Sequence, residues 1–448
     1  MEIFTDLDRR DRAAQPIRIA VIGTGFFGAG LVRRIAAIRG LLPAVAANRT
    51  PDRAVEAFLA AGIDRAAICR CDDLVSAQAA LDQGRYVATG ILDLPAQLAG
   101  VDVVMEATGD ILVGTTLALD AIRHKKHFVA ANVETQATVG AILKTLADEV
   151  GVVYSDIAGD EPGMLKTLHT ACVGLGLTPL VAGNCKGVLK RYATPTTQAA
   201  FAQAHGLQPW LATAAADGTK LNFEMATVAN ATGMPPAVRG MVGPSSNLET
   251  LIADFDRHGL FSHGPIVDYA LNGGRGVFVV THSDDPQLRR DFRYLRLGDG
   301  PYYLFHDPYV LIHHAAPLSA ARAVLYGAAT IAPSGAPVAD VATYAKRALR
   351  AGERLDGIGG ERCYGLIVRA DEARDEGLLP IGLACYARLR RDIPIDQPVT
   401  RDAIDFEENN LVLELRRQQD ARGINRDGSR VEAIGVSRAE RTAVAPPA

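Results

Sequence analysis

Three glycines at fixed spacing form the first feature of the chain that could do chemistry. Gly23-Thr24-Gly25-Phe26-Phe27-Gly28 fits the pattern G-x-G-x-x-G, follows an apolar β-rich run and opens a helical pattern. In that context the first glycine permits a tight turn, the second lets the backbone approach a pyrophosphate, and the third lets helix and strand pack closely. Amide groups at the start of the helix attract phosphate. The motif therefore predicts dinucleotide binding, with a purely structural glycine turn as the alternative.

The end of the next predicted strand distinguishes the two nicotinamide cofactors. Enzymes that use NAD usually carry Asp or Glu there, and its carboxylate holds the ribose 2′-hydroxyl. This chain has Asn48-Arg49-Thr50 instead. Arg49 can pair with a 2′-phosphate, and Asn48 and Thr50 can add hydrogen bonds. The sequence favours NADP over NAD, with a solvated turn residue as the alternative role of Arg49.

Two further strand ends are expected to face the nicotinamide. Ala107, Thr108 and Gly109 follow one apolar run, and Asn132 follows the next. Ligands of doubly wound folds bind outside the carboxyl ends of the strands. Small residues would let the dinucleotide pass close to the backbone, and Asn132 could hydrogen-bond to ribose or substrate. Capping of the following helix is the role expected of Glu134.

Asp217, Lys220 and Glu224 are the candidates for catalysis. They stand at positions i, i+3 and i+7 of a helix predicted over residues 214–231, so they would share one face. Hydride transfer to a carbonyl needs an acid that protonates the developing alkoxide, and the reverse direction needs a base. A lysine can serve both ways if its neighbours tune its pKa toward neutrality. The alternative is a salt-bridged surface helix.

Two charged segments are candidates for binding the substrate. Lys186, Lys190 and Arg191 follow a predicted strand, and they could clamp a phosphate or carboxylate or could form a solvated loop. Asp160 and Glu161 lie where the first domain is expected to end, and they could orient substrate hydroxyls. With a carboxylate of the catalytic helix they could also hold a divalent cation. No metal is predicted, because the histidines and cysteines show no metal-binding spacing.

These residues are distributed over three predicted domains. Strands alternate with helices between residues 15 and 160, which is typical of a doubly wound parallel sheet of the Rossmann type. An α+β substrate domain is expected at 161–332 and a small β-rich domain at 338–405, after a Pro/Gly-rich linker. Residues 423–448 are polar and rich in Arg, and we expect them to be disordered. The predicted fold class is α/β.

Composition and charge exclude several classes of function. The chain has 448 residues, 48% of them hydrophobic and 22% charged, and a formal net charge of −4. This charge gives no electrostatic footprint for nucleic acid or an anionic membrane, and no apolar run is long enough to span a bilayer. The N-terminus has no apolar stretch of the signal-peptide kind. Six scattered cysteines suggest reduced thiols and a cytoplasmic location.

The motifs taken together resemble a known family. The glycine motif at 23–28, the segment 103–109 and the turn at Asn132 resemble homoserine dehydrogenase and its relatives, and Gly159-Asp160-Glu161-Pro162 resembles that family's domain junction. Residues 345–360 look like part of an SAF module. This combination is similar to the deoxyxylulose phosphate reductoisomerase-like proteins, over about residues 15–405.

The resemblance implies an NADP-linked oxidoreductase that acts on a small hydroxylated acid, ketone or sugar phosphate. It places a catalytic lysine on a helix of the second domain, as Lys220 would be, and it implies a homo-oligomer. Asn132 is followed by Val133 and Glu134 rather than by lysine, which counts against homoserine as the substrate. Two alternatives stay open: a reductoisomerase of the deoxyxylulose phosphate type, whose skeletal step usually needs a metal, and an NADP-binding sensor or scaffold without turnover.

Overall fold

A computed structural model of the protein describes residues 2–422. The tail predicted at 423–448 lies outside the described residues. The α/β prediction is confirmed: a seven-stranded sheet with flanking helices accompanies a four-stranded sheet and two small two-stranded sheets. None of the described helices is both long and apolar enough to cross a membrane.

The seven-stranded sheet is built from short apolar strands joined by helices, the pattern that favours parallel pairing with both faces covered. Its elements are α1 (Glu2–Arg12), β1 (Ile17–Ile22), α2 (Phe26–Ala36), β2 (Leu41–Ala47), α3 (Pro51–Ala60), β3 (Ile68–Arg70), α4 (Leu74–Asp82), β4 (Tyr86–Thr89), α5 (Leu94–Gln97), β5 (Val103–Glu106), α6 (Ile111–Arg123), β6 (His127–Ala130), α7 (Val133–Val150) and β7 (Tyr154–Asp156). Strands β3 and β4 are not predicted from the sequence, because strands this short show no periodicity.

The order of the strands locates a crevice in this sheet. The order is β3-β4-β2-β1-β5-β6-β7, and every neighbouring pair is parallel. The chain moves outward from β1 in one direction through β2 and in the other through β5. A ligand crevice therefore opens at the carboxyl ends of β1 and β5.

A mixed sheet forms the centre of the second region. Its elements, with the helices around it, are α8 (Glu161–Gly174), β8 (Thr178–Lys186), α9 (Pro195–His205), α10 (Pro209–Asp217), α11 (Thr219–Thr232), α12 (Leu251–Arg257), β9 (Ile266–Leu271), β10 (Val277–His282), α13 (Pro286–Tyr294), β11 (Tyr302–Asp307), α14 (Ile312–Ala315) and α15 (Pro317–Tyr326). The strand order is β11-β10-β8-β9, in which only β8 and β9 are parallel. Both α8 and α11 pack against this sheet.

The single helix predicted over residues 214–231 is wrong. Gly218 has φ 92°, ends α10 and begins α11. This left-handed backbone conformation favours glycine and stops the run of helical hydrogen bonds. The chain therefore changes direction between Asp217 and Lys220.

The last two helices of this region return to the first sheet. Ala320 and Ala321 of α15 are buried in the same hydrophobic cluster as Ile19 and Val21 of β1. The packing of α15 against the sheet encloses one of its faces.

The C-terminal region consists of short elements and one longer helix. They are β12 (Ala339–Ala345), β13 (Cys363–Arg369), α16 (Ala370–Asp375), α17 (Ile381–Ala384), β14 (Ala387–Leu389), β15 (Ile404–Phe406) and α18 (Leu411–Arg422). Arg416 of α18 is buried; it pairs with Asp340 of β12 and donates to the carbonyl oxygen of Thr138 in α7 at 3.2 Å. This buried arginine joins the C-terminal region to the first sheet's helices.

Candidate functional site

The glycine turn after β1 has the geometry that phosphate binding requires. Gly23 has φ 91°, and a Cβ atom on Gly28 would stand 1.8 Å from the carbonyl oxygen of Gly23. The space beside Gly25 is open, with no atom within 4 Å of where its Cβ would stand. The hydroxyl of Thr24 is buried without a hydrogen-bond partner within residues 2–422. An open approach and an unpaired buried hydroxyl fit a bound pyrophosphate.

The two phenylalanines of the motif lie in different surroundings. Phe26 is 81% exposed. Phe27 is half-buried and packs edge-to-face against His313, with ring centroids 6.1 Å apart. Phe27 therefore attaches α14 to the start of α2, whereas Phe26 is free to face a ligand.

Asn48, Arg49 and Thr50 form an exposed turn at the carboxyl end of β2. The Oδ1 atom of Asn48 accepts a hydrogen bond from the Thr50 amide at 2.9 Å. Arg49 and Thr50 are exposed. The turn shaped by Asn48 leaves the Arg49 guanidinium open to solvent, where it can meet a 2′-phosphate.

The turn after β5 lies directly beside the glycine turn. A Cβ atom on Gly23 would stand 2.7 Å from the carbonyl oxygen of Ala107. The buried carboxylate of Glu106 accepts hydrogen bonds from both the amide and the hydroxyl of Thr108. Burial raises the pKa of Glu106. The Thr108 hydroxyl therefore shapes this turn from within, and Gly109, with φ 72°, completes it.

Asn132, rather than Glu134, caps the helix that follows β6. The Oδ1 atom of Asn132 accepts the amide of Thr135 at 3.0 Å and caps α7, while its Nδ2 donates to Glu106 and to the Asp110 carbonyl, each at 3.2 Å. The expectation that Glu134 caps this helix is wrong. Asn132 is 1% exposed and its side chain is used within the fold rather than presented to a ligand.

Lys220 and Glu224 form the centre of the charged site. They stand one turn apart on α11, and the Lys220 ammonium donates to the Glu224 carboxylate. The second oxygen of Glu224 accepts a hydrogen bond from Nδ2 of Asn184 on β8 at 2.9 Å. Helix and strand together hold this pair, and the Lys220 side chain is 26% exposed.

Four carboxyl groups act on the charge of Lys220. Burial disfavours the ammonium form, but the negative charges outweigh burial and hold the pKa of Lys220 well above its ordinary value. A pKa tuned toward neutrality, which would let Lys220 act both as acid and as base, is therefore not found. The four groups, in decreasing order of effect, are Asp160, Glu224, Glu161 and Glu134.

The carboxyl groups around Lys220 differ in the direction in which their pKa values are shifted. Burial raises the pKa of Glu134 to about 6, and burial with nearby negative charge raises the pKa of Asp156 and Glu161 further above the ordinary range. Burial also acts on Asp160, but the Lys220 charge and hydrogen bonds from Glu161 lower its pKa. Among the described residues, one oxygen each of Asp156, Asp160 and Glu161 is buried without a hydrogen-bond partner. The group can both release and accept protons.

The carboxylates converge on the Lys220 ammonium rather than on a site for a metal ion. Within residues 2–422, no group of three or more His, Cys, Asp or Glu side chains is arranged to hold a metal ion. The set of Asp160, Glu161 and Glu224 considered for a divalent cation does not fit one in this arrangement.

Asp217 is not part of this site. Its carboxylate accepts a hydrogen bond from the Nζ atom of Lys346 at 2.8 Å, and both side chains are buried. The prediction that Asp217 shares a helix face with Lys220 is wrong, because Gly218 separates the two helices. Asp217 belongs to a structural ion pair.

Lys186, Lys190 and Arg191 are the positively charged residues at and after the end of β8. In the part of the chain that the structure describes, they form no ion pair with the carboxyl groups around Lys220. Lys186 is half-buried at the end of β8, two residues from Asn184, and Lys190 is exposed. The guanidinium of Arg191 lies 5.5 Å from the ring centroid of Tyr364, a cation–π contact with β13. Arg191 is therefore engaged with the C-terminal region.

Three residues of the site were missed as site residues in the sequence. Asp156 ends β7, and a carboxylate at the carboxyl end of a parallel strand is a signal that could have identified it. For Glu134, the position after Asn132 predicts only a helix cap. Asn184 lies inside an apolar strand, where a lone amide gives little indication of its partner.

The second region matches a family model. Residues 159–315 match the model described as the catalytic domain of oxidoreductase DRL. Together with the dinucleotide-type sheet, this match agrees with the prediction of an NAD(P)-dependent oxidoreductase. The matched segment contains Asp160, Glu161, Lys220 and Glu224.

Similarity to individual proteins is remote. A search of curated proteins finds no match. An NAD-binding oxidoreductase from Klebsiella pneumoniae shares 16% identity over 41% of this chain and 48% of that chain, with a TM-score of 0.29. A biliverdin reductase from Synechocystis, in complex with biliverdin and NADP+, shares 15% identity over 40% of this chain and 49% of that chain, with a TM-score of 0.28. The chain thus spans about half the length of these solved structures.

Proposed function

We propose that the protein is an NADP-dependent oxidoreductase that transfers a hydride to or from a small hydroxylated acid, ketone or sugar phosphate. The observation that carries this proposal is the pair of Lys220 and Glu224, which lies among carboxyl groups that follow the strand ends of the first sheet. Glu134 follows β6 and Asp160 follows β7. Lys220 is thus drawn to the edge of the sheet where the glycine turn also lies.

The residues at that edge fit the cofactor. The turn of residues 23–28 would hold the pyrophosphate, and Arg49 with Asn48 and Thr50 would hold the 2′-phosphate. The turn 107–109 would let the nicotinamide half pass close to the backbone. When bound, the nicotinamide supplies or accepts the hydride.

Lys220 would stabilise negative charge on the substrate oxygen and supply its proton. Because it rests protonated, it would stabilise the developing alkoxide during carbonyl reduction and donate a proton to it. Glu224, fixed by Asn184, would hold the ammonium in place. In the direction of oxidation, an ionised carboxyl such as Glu134, whose pKa is about 6, would take up the proton.

The substrate's acidic group would be bound nearby. Lys186 and Lys190 remain the candidates for binding a carboxylate or phosphate of the substrate, and Asp160 and Glu161 for binding its hydroxyl groups.

Three further parts of this proposal rest on the family resemblance alone. They are the homoserine dehydrogenase-like assignment, an SAF-type module at 338–405 and homo-oligomerisation.

Cofactor preference is tested by Arg49→Ala. We expect NADPH to bind more tightly than NADH to the wild type, and the variant to lose about ten- to a hundredfold in NADPH affinity, because a charge-assisted hydrogen bond is worth about 1.5–3 kcal/mol. Calorimetry measures both ligands. Arg39→Ala is the matched control, since Arg39 is exposed and precedes the opposite end of β2. A wild-type preference for NADH would contradict the role of Arg49.

The reaction is tested by a panel of hydroxy acids, keto acids and sugar phosphates with NADPH and NADH, with and without chelator. We expect turnover that chelator does not reduce. Loss of activity on chelation would favour the reductoisomerase alternative. Failure of every substrate to oxidise or reduce the bound cofactor would favour a sensor.

A further inference from the structure

Trp210, the single tryptophan of the chain, reaches the turn that borders the cofactor site. It is half-buried near the start of α10, and its Cη2 atom lies 3.8 Å from the point where a Cβ atom on Gly109 would stand. Gly109 ends the turn that follows β5, and the same turn meets Gly23 through Ala107. An indole from the second region thus stands beside the crevice of the first sheet.

The C-terminal region contacts α10 at the Trp210 end. Gly359 has φ 65°, and a Cβ atom there would stand 2.0 Å from the carbonyl oxygen of Trp210 and 2.8 Å from its carbonyl carbon. No side chain fits between these two backbones. Glycine is therefore required both for the conformation of residue 359 and for its close approach to Trp210.

The same segment also holds the other end of α10. Lys346 donates one hydrogen bond to the Asp217 carboxylate at 2.8 Å and another to the carbonyl oxygen of Gly360 at 2.7 Å. Asp217 is the last residue of α10. Residues 346–360 therefore contact this helix at its first turn and at its end, which fixes the position of the backbone that carries the indole.

We propose that Trp210 contacts the nicotinamide end of the bound cofactor, and that residues 346–360 act as the positioning segment that holds it there. This rests on the proposed function, since it presumes a nicotinamide dinucleotide at the glycine turn. It assigns the C-terminal region a part in completing the site. An aromatic face beside the nicotinamide offers stacking that the strand-end turns, built from small residues, do not provide.

Indole fluorescence tests the contact in the unmodified full-length protein, because all tryptophan emission comes from this one position. NADP+ is expected to cause a saturable loss of emission. 2′-Phospho-ADP-ribose, which lacks the nicotinamide, is expected to bind with little loss. Calorimetry on the same samples shows whether each probe binds. Binding of NADP+ without loss of emission overturns the contact, whereas absence of NADP+ binding overturns the proposed function instead.

Trp210→Ala gives an independent measure of the contact. We expect the Kd for NADP+ to rise about tenfold, the scale of one aromatic–base stacking contact, with the Kd for 2′-phospho-ADP-ribose unchanged. Equal changes for the two ligands would overturn a specific contact with the nicotinamide.

Gly359→Ala tests the positioning segment, with Gly377→Ala, outside the segment, as the matched control. Gly377 has φ 61° and nothing within 4 Å of a Cβ atom, so both variants incur similar backbone strain but only Gly359→Ala displaces Trp210. We expect NADP+ to quench Gly377→Ala as it does the wild type, and Gly359→Ala much less. Equal quenching in the two variants overturns the positioning role.

Hydrogen exchange on the wild type keeps the positioning role testable if Gly359→Ala does not fold. NADP+ should slow amide exchange in residues 355–360 more than 2′-phospho-ADP-ribose does, because ordering of the indole should order the backbone against it. The same exchange with both ligands would overturn the role of the segment.

Discussion

Two lysine–carboxylate pairs have members on the two sides of Gly218 and are built in opposite ways. In the pair of Lys346 and Asp217, the side chains are 2% and 0% exposed, and the three N–H groups of Lys346 each meet an acceptor. In the pair of Lys220 and Glu224, the side chains are 26% and 5% exposed. Further carboxyl groups surround Lys220, and some of their oxygens have no partner among the described residues.

The difference distinguishes a lysine–carboxylate pair that stabilises the fold from one that can take part in a reaction. A closed, saturated pair has no donor left for a ligand, and it joins segments distant in the chain. An open pair with spare acceptors and several perturbed pKa values is what a functional site requires. The comparison shows that completeness of hydrogen bonding, rather than residue type, distinguishes the two lysines.

Lys220→Met is the variant with the largest expected effect. We expect kcat to fall about 10²–10⁴-fold, the usual contribution of one positioned proton donor, because methionine keeps the stem but removes the charge. Turnover is measured with the best substrate of the panel, and calorimetry with NADP+ checks that the cofactor site is intact. Lys125→Met, at an exposed lysine that precedes the amino end of β6, is the control for lysine loss alone. A wild-type kcat in Lys220→Met would remove the distinction between the two pairs.

Lys346→Met is expected to act on stability instead. The variant leaves the Asp217 carboxylate buried and unpaired, which costs about 3–5 kcal/mol of unfolding free energy. Urea unfolding measures this loss, and kcat of the folded protein should fall much less than in Lys220→Met. The double variant Lys346→Met/Asp217→Leu should recover much of the stability, because neither buried charge remains. An unchanged unfolding free energy in the single variant would show that this pair is not structural.

Glu134→Gln tests the carboxyl groups around Lys220 through the pH dependence of the unfolding free energy. Burial raises the pKa of Glu134 from 4.5 to about 6, so the native state binds this proton more tightly than the unfolded chain does. The contribution to stability is present below pH 4.5 and is lost as pH rises through about 6. Glutamine stays neutral, so above about pH 7 the variant should be more stable than the wild type by about 2 kcal/mol.

Urea unfolding of Glu134→Gln at several pH values measures this effect, and Glu149→Gln, at an exposed glutamate near the end of the same helix, is the control. We expect the gain to disappear below about pH 4. A gain that is independent of pH would mean that Glu134 does not titrate in this range.

The contiguous parts of the site could be predicted from the sequence. The glycine turn needs only residues 23–28 and the strand before them, and Lys220 and Glu224 stand one turn apart on one helix. The grouping of Asp217 with them is wrong, because in the sequence the break at Gly218 resembles an ordinary position in a helical pattern. Asn184 and Glu134 reach the site from β8 and α7, and sequence spacing does not show which distant segments meet.

By itself, the sequence determined the α/β class, the glycine turn and the helical character of the segment around Lys220, because local patterns of apolar residues and glycines decide these features. The tertiary structure decided which charged groups share a buried space. It paired Lys346 with Asp217, gathered four carboxyl groups around Lys220 and placed Trp210 beside Gly109. Protonation and pairing depend on burial and on distances between segments far apart in the chain, and only the folded protein sets both.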